Sequence, residues 1–184
     1  WLEAIRARHP ISLHGVAFGL CPLASLPATD EKVLLDVDVD YFIDRLARAP
    51  DRSLLDQLTE FRHQLLRAKV RPELVTVASS LNMGYTPPEY LFLPEAVARV
   101  AQAPAAPLDG AYWSLFARRS AADRAWRIGD DPGAWAQVKG ILAENPADAP
   151  ANYLAALLHD RAGDIAAAER FAMEAARANP DYSR

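Results

Sequence analysis

Three aspartates occupy every second position in the run Asp36-Val37-Asp38-Val39-Asp40. Alternation with apolar residues is the period of a β-strand, so we expect the three carboxylates to lie on one strand face. Like charges roughly 7 Å apart in a half-buried setting must be protonated, solvated or neutralised by a cation. Carboxylate oxygens suit Mg²⁺, Mn²⁺ or Ca²⁺, so a divalent metal site is predicted. The competing interpretation is a strand end whose aspartates face water or cap the next helix.

The composition indicates a globular chain with no strong electrostatic preference. Its 184 residues are 51% hydrophobic with a net charge of -4, which predicts a packed core and no basic surface for nucleic acid or anionic lipid. The longest apolar run, residues 15–28, is interrupted by two prolines and resembles neither a transmembrane span nor a cleavable signal. The single cysteine, Cys21, predicts a buried thiol in a reducing compartment. We therefore expect a cytoplasmic protein that binds neither nucleic acid nor membrane.

Residues 1–104 alternate between helical and extended patterns, which favours an α/β domain. The predicted elements are, in order, a short helix at residues 2–8, an extended run at 12–18, a strand from Val33, a helix at 53–68 and a buried strand at 74–78. The long helix carries apolar residues at spacings of three and four, as expected of a helix that packs on a sheet. Strands separated by helices imply parallel pairing, so we expect a partial parallel sheet flanked by helices.

The segment Thr86-Pro87-Pro88-Glu89 predicts a helix start. Thr86 can act as the cap, a proline suits the first turn, and Glu89 takes the third helical position of a capping box. As an alternative role, Glu89 is assigned to substrate binding together with Tyr41 and Tyr85.

Beyond Pro107 the strand pattern gives way to a repeat with a spacing of 34 residues. The recurring pairs are Gly129-Asp130 with Gly163-Asp164, Asn145-Pro146 with Asn179-Pro180, Ala122 with Ala156, and Ala134 with Ala168. In this period, in the small residues where helices would cross and in the terminal Asn-Pro, the chain resembles tetratricopeptide repeats, although Asn152 stands where that family has a large aromatic residue. The resemblance implies an all-α helical tail over residues 111–184 with a surface for a protein partner.

Other families that use aspartates in this pattern fit less well. An EF-hand calcium loop needs a glycine where Tyr41 stands and a bidentate glutamate where Ala47 stands. A Mg²⁺-dependent phosphatase of the haloacid dehalogenase type would use Asp36 as nucleophile and Asp38 as acid, and it remains an alternative although Asp40 replaces that family's usual threonine. A glycosyltransferase needs only an Asp-x-Asp pair, which is a weak signal.

The string Leu35-Asp36-Val37-Asp38-Val39-Asp40-Tyr41-Phe42 resembles the second metal motif of the arginase-like metallohydrolases, a strand that ends in Asp-x-Asp. Together with the next strand and Gly84-Tyr85-Thr86-Pro87, it is similar to the peptide arginase branch over residues 30–104. The resemblance implies the C-terminal portion of an arginase/deacetylase-like α/β domain over residues 1–104. Asp38 and Asp40, with Asp36 as a further ligand, would help to hold two Mn²⁺ ions, with Mg²⁺ as the second choice. The implied reaction converts arginine in a peptide or protein substrate to ornithine and urea.

That superfamily also needs a histidine and an Asp-x-His-x-Asp segment upstream, and the residues before Asp36 do not supply them. His9 and His14 are the only upstream histidines, and we expect them to be structural. The chain is therefore expected to be part of a longer protein that contributes the remaining metal ligands. The alternative function, from another class, is a scaffold or peptide-binding protein that acts through its helical repeats.

Overall fold

The computed structural model describes residues 11–13, 16–18, 21–79 and 86–183, which form an α/β part followed by a helical part. The strands are β1 (Ile11–Leu13), β2 (Val16–Phe18), β3 (Lys32–Asp38) and β4 (Arg71–Ala78). The α-helices are α1 (Asp40–Arg48), α2 (Leu54–Arg67), α3 (Leu93–Gln102), α4 (Gly110–Arg127), α5 (Asp131–Glu144), α6 (Ala149–Arg161) and α7 (Ile165–Ala178). The predicted helix at residues 2–8 lies outside the described residues, as do His9, His14 and Tyr85.

Strands β3 and β4 form a two-stranded parallel sheet, in which Asp36 lies opposite Thr76. The chain passes from one to the other through α1 and α2, so the predicted parallel pairing is confirmed. Val37, on the inner face, is 7% exposed, whereas Leu34 and Leu74 on the outer face are 76% and 55% exposed. The prediction that β4 is a fully buried strand is wrong, because the helices cover only one face of this sheet.

The extended run at residues 12–18 does not add a third parallel strand. Instead β1 and β2 pair with each other in antiparallel fashion, with Ile11 opposite Phe18. Only two residues separate these short strands in the sequence, which is enough for a hairpin connection and too few for a crossover. In the described part of the chain the parallel sheet therefore has two strands rather than three.

Helix α2 follows the sequence prediction closely. The Ser53 hydroxyl accepts a hydrogen bond from the Asp56 amide, and the Asp56 carboxylate accepts one from the Ser53 amide, so a complete capping box starts the helix. Its apolar stripe, which includes Leu58 and Phe61, is almost fully buried and packs with Phe42 of α1. The predicted helix at 53–68 is thus confirmed to within one residue at each end.

The 34-residue spacing in the sequence corresponds to a repeated local structure. Gly129 and Gly163 end their helices at φ +80° and +77°, a backbone conformation that glycine adopts without strain. Asp130 and Asp164 follow them, and each carboxylate caps the next helix by accepting a backbone N–H three residues further on. Helices α4 and α5 are therefore connected in the same way as α6 and α7, and each pair packs along its length.

Helix α4 joins the helical part to the α/β part. The buried Ser120 hydroxyl accepts the backbone N–H of Leu55, one of the free donors in the first turn of α2, at 2.9 Å. The Arg127 guanidinium donates to the carbonyls of Pro50 and Arg52 at 2.6 and 2.7 Å. The two parts thus share hydrogen bonds as well as apolar contacts.

Two surface predictions can be compared with the structure. Cys21 is exposed, so the prediction of a buried thiol is wrong. The reason is that its segment runs along the surface, where Leu23 and Leu26 rather than Cys21 pack against the core. No helix in the described residues is long and apolar enough to cross a membrane.

Candidate metal centre at the end of the parallel sheet

The three aspartates lie at the carboxyl end of β3, the end at which open parallel sheets usually bind ligands. Asp36 and Asp38 are exposed on the outer face of the sheet. Strand β3 ends at Asp38, and Asp40 is the first residue of α1. The prediction that all three carboxylates share one strand face is wrong for Asp40, because the backbone already turns into the helical conformation at Val39, with φ −64° and ψ −29°.

Asp38 and Asp40 are nevertheless held together by a network that spans both strand ends. The Asp40 amide donates to Asp38 Oδ1 at 3.1 Å, which fixes the Asp38 carboxylate over the start of α1. Asp40 Oδ1 in turn accepts the Thr86 hydroxyl at 3.1 Å. Thr86 is 5% exposed and belongs to the segment after β4. A hydroxyl from the segment that follows β4 therefore orients a carboxylate near the end of β3.

The role of Thr86 differs from its predicted role. Residues Pro88–Tyr90 form one 3₁₀ turn without a side-chain cap, and α3 begins only at Leu93. The predicted capping box of Thr86 and Glu89 is wrong, because the Thr86 hydroxyl is used by Asp40.

Asp36 is oriented separately by the neighbouring strand. The Thr76 hydroxyl donates to Asp36 Oδ1 at 2.5 Å across the parallel pair. Each of the three carboxylates thus has one hydrogen bond from a described residue, and in every case that bond is to its Oδ1 atom. Such bonds fix the direction of a carboxylate and leave its other oxygen to bind a cation.

The three aspartates offer the type of ligand atom that a hard divalent cation binds. Carboxylate oxygens are the ligands that Mg²⁺ and Mn²⁺ prefer, and Asp38 and Asp40 would provide two of them. Within the described residues, no three histidine, cysteine, aspartate or glutamate side chains form a ready-made metal-binding group. A complete centre therefore requires ligands beyond those the described residues bring together.

The residues assigned to substrate binding are spread over different surroundings. The Tyr41 hydroxyl accepts from Arg45 at 2.6 Å, and Arg45 also forms an ion pair with Glu60 at 2.8 Å, so Tyr41 is held on the outer side of α1. Glu89 lines a cavity of about 20 Å³ together with Arg119 and Asp123 of α4. The assignment of Tyr41 and Glu89 to substrate binding stays a prediction.

The buried carboxylate of Asp123 is a feature that sequence reasoning missed. Asp123 is 4% exposed, and burial raises its pKa to about 6 even though Arg127 Nε donates to its Oδ2 at 2.9 Å. The Tyr90 side chain also stabilises the charged form of this carboxylate, whereas the charge of Glu89 disfavours it. Burial also raises the pKa of Glu89. The sequence signal was the position of an acid on the apolar stripe of α4, three residues after the buried Ser120.

The cavity beside Asp123 is small. Its volume of about 20 Å³ is enough for a single water molecule and far below that of a ligand pocket. Glu89 and Asp123 both line it, at the junction between the Pro88–Tyr90 turn and α4.

Three comparisons with known proteins place this chain in no family. Comparisons with protein-family models, with curated proteins and with solved structures each found no match. The resemblances to arginase-like hydrolases and to tetratricopeptide repeats therefore stay predictions from the sequence. The geometry at the end of the sheet is the remaining guide to function.

Proposed function

We propose that this chain carries part of the metal centre of an arginase-type hydrolase, which converts arginine side chains of a peptide or protein to ornithine and urea. One observation supports this function best. Asp38 and Asp40 lie within one hydrogen-bonded turn at the carboxyl end of a parallel strand, and Thr86 from the next strand end orients Asp40. An Asp-x-Asp pair that serves only as a helix cap has no need of a buried threonine from 46 residues away.

The reaction adds one water molecule to the guanidinium group. The water oxygen bonds to the guanidinium carbon, and the bond from that carbon to the arginine side-chain Nε breaks. The released side-chain amine of ornithine takes up a proton. Divalent cations supply a water of lowered pKa when they are bound. Asp38 and Asp40 bind the cation, Thr86 keeps the Asp40 carboxylate in its direction, and Asp36 adds a further oxygen donor held by Thr76.

The outer face of the sheet supports a site shared with further polypeptide. Parallel sheets are normally covered on both faces, yet Leu34 and Leu74 are largely exposed beside the aspartates. Polypeptide that covers these leucines would lie close enough to add the histidine and carboxylate ligands that a dinuclear centre needs. This is also why the proposed centre is only partly formed by the described residues.

Metal binding is the first test. We expect the chain to bind Mn²⁺ in isothermal titration calorimetry, and Asp38→Asn or Asp40→Asn to weaken binding more than Thr86→Val, which should cost about tenfold as the loss of a positioning residue. Asp44→Asn is the matched control, because Asp44 is exposed on the same helix as Asp40. A folded wild-type chain that binds no Mn²⁺, or equal losses in the control, would overturn the metal centre.

Product release is the second test. Urea should appear when the Mn²⁺-loaded chain, together with the polypeptide that supplies the remaining ligands, meets an arginine-containing peptide, and Asp40→Asn should abolish it. Phosphate release from p-nitrophenyl phosphate that is lost in Asp36→Asn would instead support the haloacid dehalogenase type of phosphatase. Mn²⁺ binding without urea release, in the presence of all the polypeptide that forms the centre, would refute the arginase activity while leaving the metal site in place.

A further inference from the structure

A cleft separates the first turn of α5 from the last turn of α6. It has a volume of about 400 Å³, which lies within the range of ligand pockets. The residues that line it are Asp131, Pro132, Trp135, Leu158, His159 and Ala162. It lies in the helical part of the chain, and no residue of the candidate metal centre contributes to it.

One wall of the cleft is a rigid aromatic cluster. Trp135 meets His159 edge to face with ring centroids 5.1 Å apart, and His159 stacks on Phe171 of α7 at 5.3 Å. His159 Nδ1 also lies 3.3 Å from a carboxylate oxygen of Asp164. These contacts from three helices fix the rings in place, so Trp135 presents a preformed apolar surface to the cleft.

The rim of the cleft is acidic. The turns that border it carry the aspartates 130, 131, 160 and 164, whereas their basic residues are Arg161 and His159, which lies against Asp164. Arg161 is already occupied, because it forms an ion pair with Asp131 at 2.7 Å and its guanidinium lies over the Trp126 ring at 5.0 Å. Asp160 is exposed in the last turn of α6, next to the cleft residue His159 in the sequence. The local field therefore favours a cationic ligand over an anionic one.

We propose that this cleft binds a basic segment of a partner polypeptide, which inserts an arginine or lysine side chain between Trp135 and the rim carboxylates. An arginine side chain suits both features, because its planar guanidinium stacks on aromatic rings and also pairs with carboxylates. The cleft and its charges carry this inference without any contribution from the metal chemistry. It gives the helical part a recognition role of its own.

A peptide titration tests the proposal. The isotope-labelled chain is titrated with the blocked peptide Gly-Arg-Phe-Arg-Gly, and the indole N–H signal of Trp135 is followed by NMR after assignment with Trp135→Phe. We expect a saturable shift that weakens as NaCl is raised, because exposed charges are screened by salt. The matched peptide Gly-Glu-Phe-Glu-Gly should cause no such shift.

Substitutions near the cleft test whether peptide binding depends on this cleft or only on the net negative charge of the protein. Asp160→Asn should weaken binding of the arginine peptide about two- to fivefold, as expected for one exposed charge. Glu169→Gln removes an equally exposed charge from α7 and should leave binding unchanged. Equal binding of the glutamate peptide, equal effects of both variants, or no binding at millimolar peptide would each overturn the proposal.

Discussion

The buried carboxyl of Asp123 should make the stability of this protein depend on pH. Its pKa of about 6 in the folded chain exceeds the ordinary 3.8, because burial disfavours the charge more than Arg127 stabilises it. A carboxyl with a raised folded-state pKa adds stability that is fully present below the unfolded pKa and is lost as pH rises through about 6. Asp123→Asn keeps the shape of the side chain and removes its titration.

The size of the effect follows from the two pKa values of Asp123. The difference between 3.8 and about 6 changes the free energy of unfolding by about 3 kcal/mol between a pH below both pKa values and a pH above both. At pH 5 the folded-state carboxyl is about nine-tenths protonated and the unfolded one less than a tenth, whereas at pH 8 both are charged. The free energy of unfolding should therefore be about 1 kcal/mol larger at pH 5 than at pH 8 from this group alone.

Urea denaturation at pH 5 and pH 8 measures this contribution. The wild type and Asp123→Asn are compared at both values, so that all other titrating groups cancel to first order. We expect the wild type to gain about 1 kcal/mol more than the variant on going to pH 5. Asp44→Asn, which changes an exposed acid, should behave like the wild type. The reasoning would be refuted if wild type and Asp123→Asn showed the same pH dependence.

Three further substitutions test the packing, the helix junctions and the buried ion pair, each by urea denaturation. Phe42→Ala empties a fully buried site between α1 and α2 and should cost about 3–5 kcal/mol; a loss below 1 kcal/mol would contradict its place in the core. Gly129→Ala puts a side chain at φ +80° and should cost about 1–2 kcal/mol, whereas no loss would argue against that turn. Asp148→Ala removes the cap of α6 and leaves Arg119 unpaired, which should lower the free energy of unfolding by about 3 kcal/mol. An unchanged denaturation midpoint would contradict the Arg119–Asp148 ion pair.

Elements with short-range signals were predictable from the sequence. Helix α2 was found because Ser53 and Asp56 form a capping box three residues apart and the apolar stripe follows at once. The 34-residue period was found because Gly129 and Gly163 each need a positive φ at the same point of the structure. In both cases the deciding interaction joins residues that are close in the chain.

Features that depend on distant residues were not predictable. Thr86 looked like a helix cap, but its hydroxyl binds Asp40, 46 residues earlier. Asn152 looked like a departure from the repeat pattern, yet it is 2% exposed and its amide donates to the carbonyls of Pro146 and Asp148. A local motif could not reveal the Thr86–Asp40 contact, because it depends on how the chain folds back on itself. The Asn152 bonds are local, and they were missed because the family pattern assigns a large aromatic residue to that position.

The candidate metal site was predictable in part. Alternation placed Asp36 and Asp38 on one strand face, and the structure shows them there on the exposed side. The same alternation failed at Asp40, because a strand pattern carries no signal for the residue at which a helix begins. The burial of Asp123 was hidden for a different reason, since an acid in a helix is normally solvated unless its neighbours are known.

The hydrogen bonds that α4 makes to the loop before α2 and to the first turn of α2 limit where this chain can be truncated. A fragment that stops before Gly110 would lose the Ser120 acceptor of Leu55 and the Arg127 donors to Pro50 and Arg52. The helical part therefore cannot be separated from the α/β part without losing these hydrogen bonds. If it is grafted onto another protein, the graft must include α4, and the new protein must offer a surface that takes the place of this loop.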